Sequence, residues 1–499
     1  MSTSFLYTAM PLWAVLVSML AGIVIFALGE PRRTARTVVN LAAAVVKLVL
    51  IAVMVDGVRS GGTFGFRLPL LPGLDLVLSA DALSLLFMTL SAWLWLLTTI
   101  YAIGYLEHGR ERARFFGFFS LCVAATMGIA AAGNLFTFFV FYELLTLATW
   151  PLVAHRGTPD SLRGARTYLV YTLGGSALFL VGLVWLYGIA GSAEFVAGGS
   201  VAGLDPERDA DLRWIFALLV AGMGVKAALV PLHGWLPKAM VAPAPVSALL
   251  HAVAVVKAGA FGLVRVVEDV FGIEVAARLG GAQALTVLAA VTIVYGSTRA
   301  LFQSDIKRRL AWSTVSQVSY IALGVGLGGP LALVGGLVHL VHQGLMKITL
   351  FFCAGVFAER LGIHSVGELD GVGRRLPWTS AAFTVGALGM IGLPPLAGFV
   401  SKWYLGLGAL EAGQPWVVGV LVASTLLNAA YFLPVLRRIW FAPAPEAWPH
   451  PQALGRVAFA ALAVPPVLTA ATVIATGVLA GLALSPLGWV ELIVARSGR

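Results

Sequence analysis

GMGVKAALVPLHGWLPKAMVAPAPVSALLHAVAVVKAGAFG, residues 222–262, reads as two membrane-crossing helices joined by a proline-rich hairpin. Each helix carries one lysine deep in apolar sequence, Lys226 and Lys257. An ionised side chain near the centre of a bilayer costs about 2.5–3.5 kcal/mol on insertion scales. A helix keeps that cost only where the charge is used. The expectation for the pair is therefore a proton or ion pathway through the membrane.

The surrounding chain fits that setting. It has 499 residues, 59% hydrophobic and 11% charged, against about 25% charged in a soluble domain. A spanning helix needs about 20 apolar residues, and counting apolar runs gives fourteen. They lie near 9–28, 37–57, 81–105, 115–133, 135–154, 166–190, 213–231, 242–267, 282–300, 309–328, 332–357, 377–407, 415–436 and 457–483. The turn-rich connection 59–80, with Pro72 and Gly73, has the makings of a hairpin. The reading is an all-α polytopic membrane protein. The first run lacks a basic leader and a small-residue cleavage site, so it is expected to be a retained helix.

Charge supports the count. Twenty of the 33 lysines and arginines fall in loops on the side that follows the first helix, eight on the other, and five lie inside apolar runs. The arginine-rich side is expected in the cytoplasm, with both termini on the outer face of the inner (cell) membrane. The net charge of +10 then reflects membrane topology, and nucleic-acid binding is excluded for want of a basic stripe on a polar face. Cys122 and Cys353 stand alone in apolar runs. Iron–sulfur and structural zinc sites need clustered thiolates, so no metal and no cofactor is expected. With no nucleotide loop and no nucleophile constellation, no chemical active site is expected in this chain. NADH:quinone oxidoreductase activity would reach it only through a complex.

The five intramembrane lysines are Lys47, Lys226, Lys257, Lys347 and Lys402. The clear acidic counterpart at similar depth is Glu143, in NLFTFFVFYELLTLATW, and its expected role is to pair with Lys226. Asp81, at the start of the third run, reads as a helix cap. His251 and Lys257 share one helix, about 9 Å apart along its axis. The eleventh run, LVHLVHQGLMKITLFF, brings His339, His342 and Lys347 together with Gln343 between them. Histidine passes protons near neutral pH. Ser313, Thr314, Ser316 and Gln317 of the tenth run suit the holding of water between charged groups, and Lys402 would end the row near an exit. Lys47 lies outside these elements; a lipid-facing snorkel, a contact with a partner subunit and a functional role all stay open for it.

Proline breaks two of the lysine-bearing helices, in Lys226-A-A-L-V-Pro231 and in Gly392-L-Pro394-Pro395 ahead of Lys402. Interrupted helices at matching places in two halves point to an inverted repeat with the site at its interface. The halves fall at 115–267 and 282–436, joined by a linker 268–281, after an N-terminal three-helix segment 1–114 and before a C-terminal helix in 437–499.

The motifs FYELLTL, GVKAALVPLHGWLPKA, APAPVSALLHAVAVVKAG, QSDIKRRLAWSTVSQVSY, HLVHQGLMK and GLPPLAGFVSKW resemble those of the antiporter-like membrane subunits shared by respiratory complex I, membrane-bound hydrogenases and Mrp-type cation/proton antiporters. The resemblance covers nearly the whole chain and is strongest over 115–410. It implies fourteen helices with two inverted five-helix repeats and discontinuous seventh and twelfth helices. It also implies proton transfer through the Glu143–Lys226 pair, Lys257 and Lys402. Where the family has Asn-His before its eleventh-helix lysine, this chain has His342-Gln343, which turns the relay there toward His342 or water. The lysine in FVSKW and the KAG ending of the eighth helix lean toward the D-type chain of Mrp antiporters. The function implied is a proton-translocating subunit of a multisubunit monovalent cation/proton antiporter. The alternative is a pumping subunit of a complex I or membrane-hydrogenase oxidoreductase. The implied partners are other membrane subunits, protons, Na+ or K+, and the lipid bilayer.

Overall fold

A computed structural model describes residues 3–107, 109, 111–448 and 455–496. Arg110 and Arg499, both counted in the charge asymmetry, lie outside the described residues. Twelve helices among them are long and apolar enough to cross a membrane. The first are α1 (Met10–Leu28), α2 (Arg33–Arg59), α3 (Ala82–Tyr105), α4 (Arg112–Ala130), α5 (Leu135–Val153) and α6 (Pro159–Ala190). After the shorter α7 (Asp209–Lys226) come α8 (Ala244–Phe271), α9 (Gly281–Leu301), α10 (Ile306–Leu327) and α11 (Pro330–Leu361). Then follow α12 (Pro377–Ile391), α13 (Ala397–Glu411), α14 (Trp416–Phe441), α15 (Arg456–Val478) and a short α16 (Pro486–Arg496). Between α2 and α3 the strands β1 (Gly65–Leu71) and β2 (Leu74–Ser79) pair antiparallel. Among the described residues this is the one sheet in an otherwise helical chain.

Both lysine-bearing breaks are present. α7 stops at Lys226, because Pro231 has no N–H to offer a helix. Ala228 sits at φ 57°, a left-handed conformation that costs a residue with a Cβ about 1–2 kcal/mol. The Val225 carbonyl at the break accepts the Trp235 indole N–H at 2.7 Å beside the Ala228 amide at 3.1 Å. The run 377–407 is likewise two helices, α12 and α13, with Gly392 at φ 92° between them. Both breaks contain a cis prolyl bond, Val230–Pro231 and Pro394–Pro395.

α8, α10 and α11 form the inner layer. Their most apolar windows are wholly buried, whereas those of α1, α2, α6, α14 and α15 are no more than two-fifths buried. A helix apolar all round with no outer face belongs inside a bundle, and one with an unpaired apolar face belongs against lipid or another chain. α8 also presses against the α7 break. A Cβ on Gly259 would run into the backbone of Lys226 and Ala227, so glycine there lets the two lysine-bearing segments touch.

Asp81 caps α3 by accepting the Ser84 amide at 2.6 Å. It also pairs with Arg265, at 2.7 Å. Arg265, one of the eight basic residues counted on the second side, lies within α8 and is buried, with its guanidinium held by Asp81 and Asp269. α8 itself continues to Phe271 rather than ending at 267.

Candidate functional site: a row of buried ionisable groups

Lys226 is the last residue of α7 and is fully buried. The carbonyl end of a helix favours a cation. Its ammonium donates to the backbone carbonyl of Tyr142 and lies 3.2 Å from the centre of the Tyr142 ring. Glu143 is half-buried, and its carboxylate accepts a hydrogen bond from Ser176 on α6. The structure thus brings Glu143 to the lysine's neighbourhood without the direct ion pair expected from the sequence. A tyrosine carbonyl holds the ammonium and a serine holds the carboxylate.

On α8, residues Leu249–Val253 form a π-helical turn that carries His251. The ring stacks on Phe351 at 4.5 Å. Lys257, one turn beyond, is fully buried and donates to the Leu340 carbonyl of α11 at 2.6 Å. Leu340 lies between His339 and His342 on α11, so this bond brings the ammonium to the helix stretch that carries both histidines. His339 Nδ1 is 2.8 Å from Ser401 Oγ of α13, and its ring stacks on Tyr320. The Ala397 backbone lies beside His342 but outside hydrogen-bond geometry.

Lys347 donates to Ser313 Oγ at 2.6 Å and to the Leu310 carbonyl at 3.2 Å. Lys402 is half-buried. It reaches back across the second break to the last carbonyls of α12, Ile391 at 2.7 Å and Met390 at 3.3 Å, and to Thr425 Oγ1 at 3.0 Å. An ammonium on freed helix-terminal carbonyls satisfies groups that have no partner within the helix. Lys226 and Lys402 therefore both sit at the carbonyl end of an interrupted helix.

Among the described residues, several buried polar atoms around these lysines have no protein hydrogen-bond partner. They are both side-chain ends of Gln317 and Gln343, both ring nitrogens of His251 and His342, His339 Nε2 and the Tyr320 hydroxyl. Each would cost about 1–3 kcal/mol if left dry. Buried polar groups of this kind are satisfied by internal water. Fixed ammonium groups with water-binding side chains between them can pass protons by successive short hops.

The sequence from 132 to 428 matches the family described as NADH:quinone oxidoreductase/Mrp antiporter, TM, and residues 73–116 match NADH-Ubiquinone oxidoreductase (complex I), chain 5 N-terminus. The chain belongs to this family of antiporter-like membrane subunits. Over 380 residues it is 40% identical to the N subunit of NADH-quinone oxidoreductase from Desulforudis audaxviator, covering 75% of this chain and 74% of that one. Over 394 residues it is 29% identical to the D subunit of the Na(+)/H(+) antiporter from Bacillus subtilis, covering 78% of each. Its fold matches a chain of the Mrp complex from Dietzia sp. DQ12-45-1b with a TM-score of 0.84, over 98% of this chain and 97% of that one, at 24% identity. As a member of the NADH:quinone oxidoreductase/Mrp antiporter family, the chain is a multi-pass membrane subunit, and its relatives are parts of multisubunit membrane complexes.

Sequence reading of this family member missed the groups on α14. Tyr431, Asn428, Ser424 and Thr425 are tied to Ser313, Ser297 and Lys402. Their spacing at 424, 428 and 431 places them on one helix face, a signal present in STLLNAAYFL. For Lys47 the structure narrows the three roles left open. It is fully buried, bonded to Ser18 of α1 and 4.2 Å from the Trp95 ring centre of α3, so it neither snorkels to lipid nor reaches a partner subunit. An ammonium taken out of water carries a desolvation penalty that an apolar side chain of similar length lacks. Lys47→Met is therefore expected to hold or raise the thermal unfolding temperature of the detergent-solubilised complex. A marked fall would contradict that packing account.

Proposed function

We propose that the chain carries protons across the inner membrane as one subunit of a multisubunit complex. They pass by relay among Glu143, Lys226, His251, Lys257, His339, His342, Lys347, Lys402 and internal water. What carries this reading is the row of buried ammonium groups held on backbone carbonyls and hydroxyls rather than on carboxylates, with unpartnered polar side chains between them. A lysine without a fixed counter-ion can release and regain a proton with little rearrangement. The halves 115–267 and 282–436 act as inverted repeats, each with one broken helix. The arginine-rich loops face the cytoplasm, which places both termini outside.

The complex is a monovalent cation/proton antiporter, with this chain in the D-type role and Na+ or K+ as the exchanged ion. The FVSKW lysine and the overall likeness to an Mrp chain support it. The second reading is a proton-pumping module driven by a redox arm, favoured by the higher identity to the N-type relative. Purifying the native complex and identifying its partners separates the two. Small membrane subunits and Na+- or K+-driven proton flux in vesicles support the antiporter. A partner rich in clustered cysteines and flux driven by an electron donor supports the pump. Flux under neither drive would overturn both.

Lys402→Glu tests simple titration at the second break. A carboxylate also exchanges protons, so partial transport is expected. An assembled variant with no transport would contradict it.

A further inference from the structure

We infer that Asn428 is a proton insulator: its side-chain amide, bonded to the acceptor-only Met390 carbonyl, closes the hydrogen-bonded row between Lys347 and Lys402 to protons, and so forces proton exchange between them through the groups around His339. The inference rests on the relay reading above and adds to it a barrier that the relay must go around.

The row is short and fully specified. Lys347 Nζ donates to Ser313 Oγ at 2.6 Å. The Ser313 and Tyr431 hydroxyls are 2.7 Å apart. The Tyr431 hydroxyl donates to Asn428 Oδ1 at 2.6 Å. Asn428 Nδ2 donates to the Met390 carbonyl at 3.0 Å, and Lys402 Nζ donates to the same carbonyl at 3.3 Å. Asn428 and Ser313 are fully buried and Tyr431 is 1% exposed.

Every hydrogen in this row has a forced direction. A backbone carbonyl only accepts, so the amide nitrogen of Asn428 must face Met390. Its oxygen then faces Tyr431, which must donate. Ser313 in turn donates to Tyr431, and Lys347 to Ser313. Between Lys347 and Asn428 every donor points away from Lys347 and toward the amide.

Hydroxyls relay protons by accepting on one side and releasing on the other. A carboxamide does not. Protonation of Oδ1 followed by loss of a proton from Nδ2 leaves the imidic acid tautomer, which cannot reset without a second exchange. Beyond the amide, two donors meet head-on at one carbonyl that carries no proton to pass. Ser297 Oγ, 3.5 Å from the same Oδ1 and 2.8 Å from Ser316 Oγ, adds a further donor to a closed acceptor. The row therefore anchors both lysines and conducts between neither.

The alternative route runs past buried polar atoms that are left for water. His339, Gln317 and Tyr320 carry the unpartnered atoms, and the Lys402 ammonium lies 5.7 Å from the Tyr320 ring centre. Exchange between Lys347 and Lys402 then waits on water at those groups. A direct row of hydroxyls would let it run unconditionally, as a leak.

The test replaces the insulator by a conductor of the same shape. Asn428→Asp puts a group there that accepts a proton on one oxygen and releases it from the other; its ionised second oxygen has no proton to give the Met390 carbonyl and is drawn instead to the Lys402 ammonium that shares that carbonyl, which takes the carbonyl out of the row. Passive proton leak in vesicles holding the intact complex is expected to rise by about a hundredfold, the low end of what a positioned acid–base group contributes to proton transfer. Adding Tyr431→Phe to Asn428→Asp removes the hydroxyl that feeds the new group, and is expected to return the leak to the wild-type level. Asn428→Ser, uncharged and shorter than asparagine, leaves a hydroxyl and room for a water in place of the amide; that water can meet the Lys402 ammonium without the carbonyl, and the variant is expected to leak as well. Assembled Asp and Ser variants that are as proton-tight as wild type would overturn the insulator, as would an Asp-variant leak that persists in the double variant. The relay reading is tested apart from this, by Lys257→Met, so the two can fail separately.

Discussion

Lys257→Met in the assembled complex is expected to lower driven proton flux by about a hundredfold or more, the contribution of one positioned proton-transfer group. Lys257 is fully buried at the junction of α8 and α11. It is held on the Leu340 carbonyl, beside the two histidines of α11. Methionine fills nearly the same volume and needs no counter-charge, so assembly should survive. Flux measured with a pH-sensitive dye in vesicles of the intact complex is the readout. Wild-type flux from the assembled variant would show that protons bypass the α8–α11 junction.

Lys226→Ala and Glu143→Ala are the second pair of large effects. Lys226 closes the first broken helix, and Glu143 carries the carboxylate on the neighbouring turn of α5. The carboxylate rests on Ser176 and the ammonium on the Tyr142 carbonyl. Ser176 engages one carboxylate oxygen and leaves the other free to face the lysine. Loss of either group removes one of the two charges at the first break. Both variants are expected to assemble and to lose transport, while Glu143→Gln, which keeps a hydrogen bond with Ser176 but no charge, is expected to lose it too. Full flux in Glu143→Gln would mean that the carboxylate only positions Ser176 and α6.

Much of this was legible because intramembrane charge is rare. Lysines in apolar runs beside Pro231 and Pro394 mark both broken helices directly, since proline's missing N–H and a buried ammonium leave few other arrangements. The turn-rich stretch with Pro72 and Gly73 likewise gives away its hairpin. Contacts decided by rotation about a helix were not legible. Sequence depth puts Lys226 level with Glu143, but the direction of each side chain depends on Ser176 and the Tyr142 carbonyl, which lie far away in the chain. Lys47 shows the same limit. Its face becomes internal only when α1 and α3 close over it through Ser18 and Trp95. Asn428 and Tyr431 carry no formal charge and therefore do not stand out among the apolar residues of α14, although their buried face is periodic.

The most direct measurement is an experimental density map of the assembled complex at a resolution that shows ordered water. Water bonded to Gln317, Gln343, Tyr320 and His339 Nε2, linking the Lys257 ammonium to that of Lys402, is the predicted result. Tightly packed apolar side chains between those two ammonium groups, with no water at any of these atoms, would contradict proton transfer along this row.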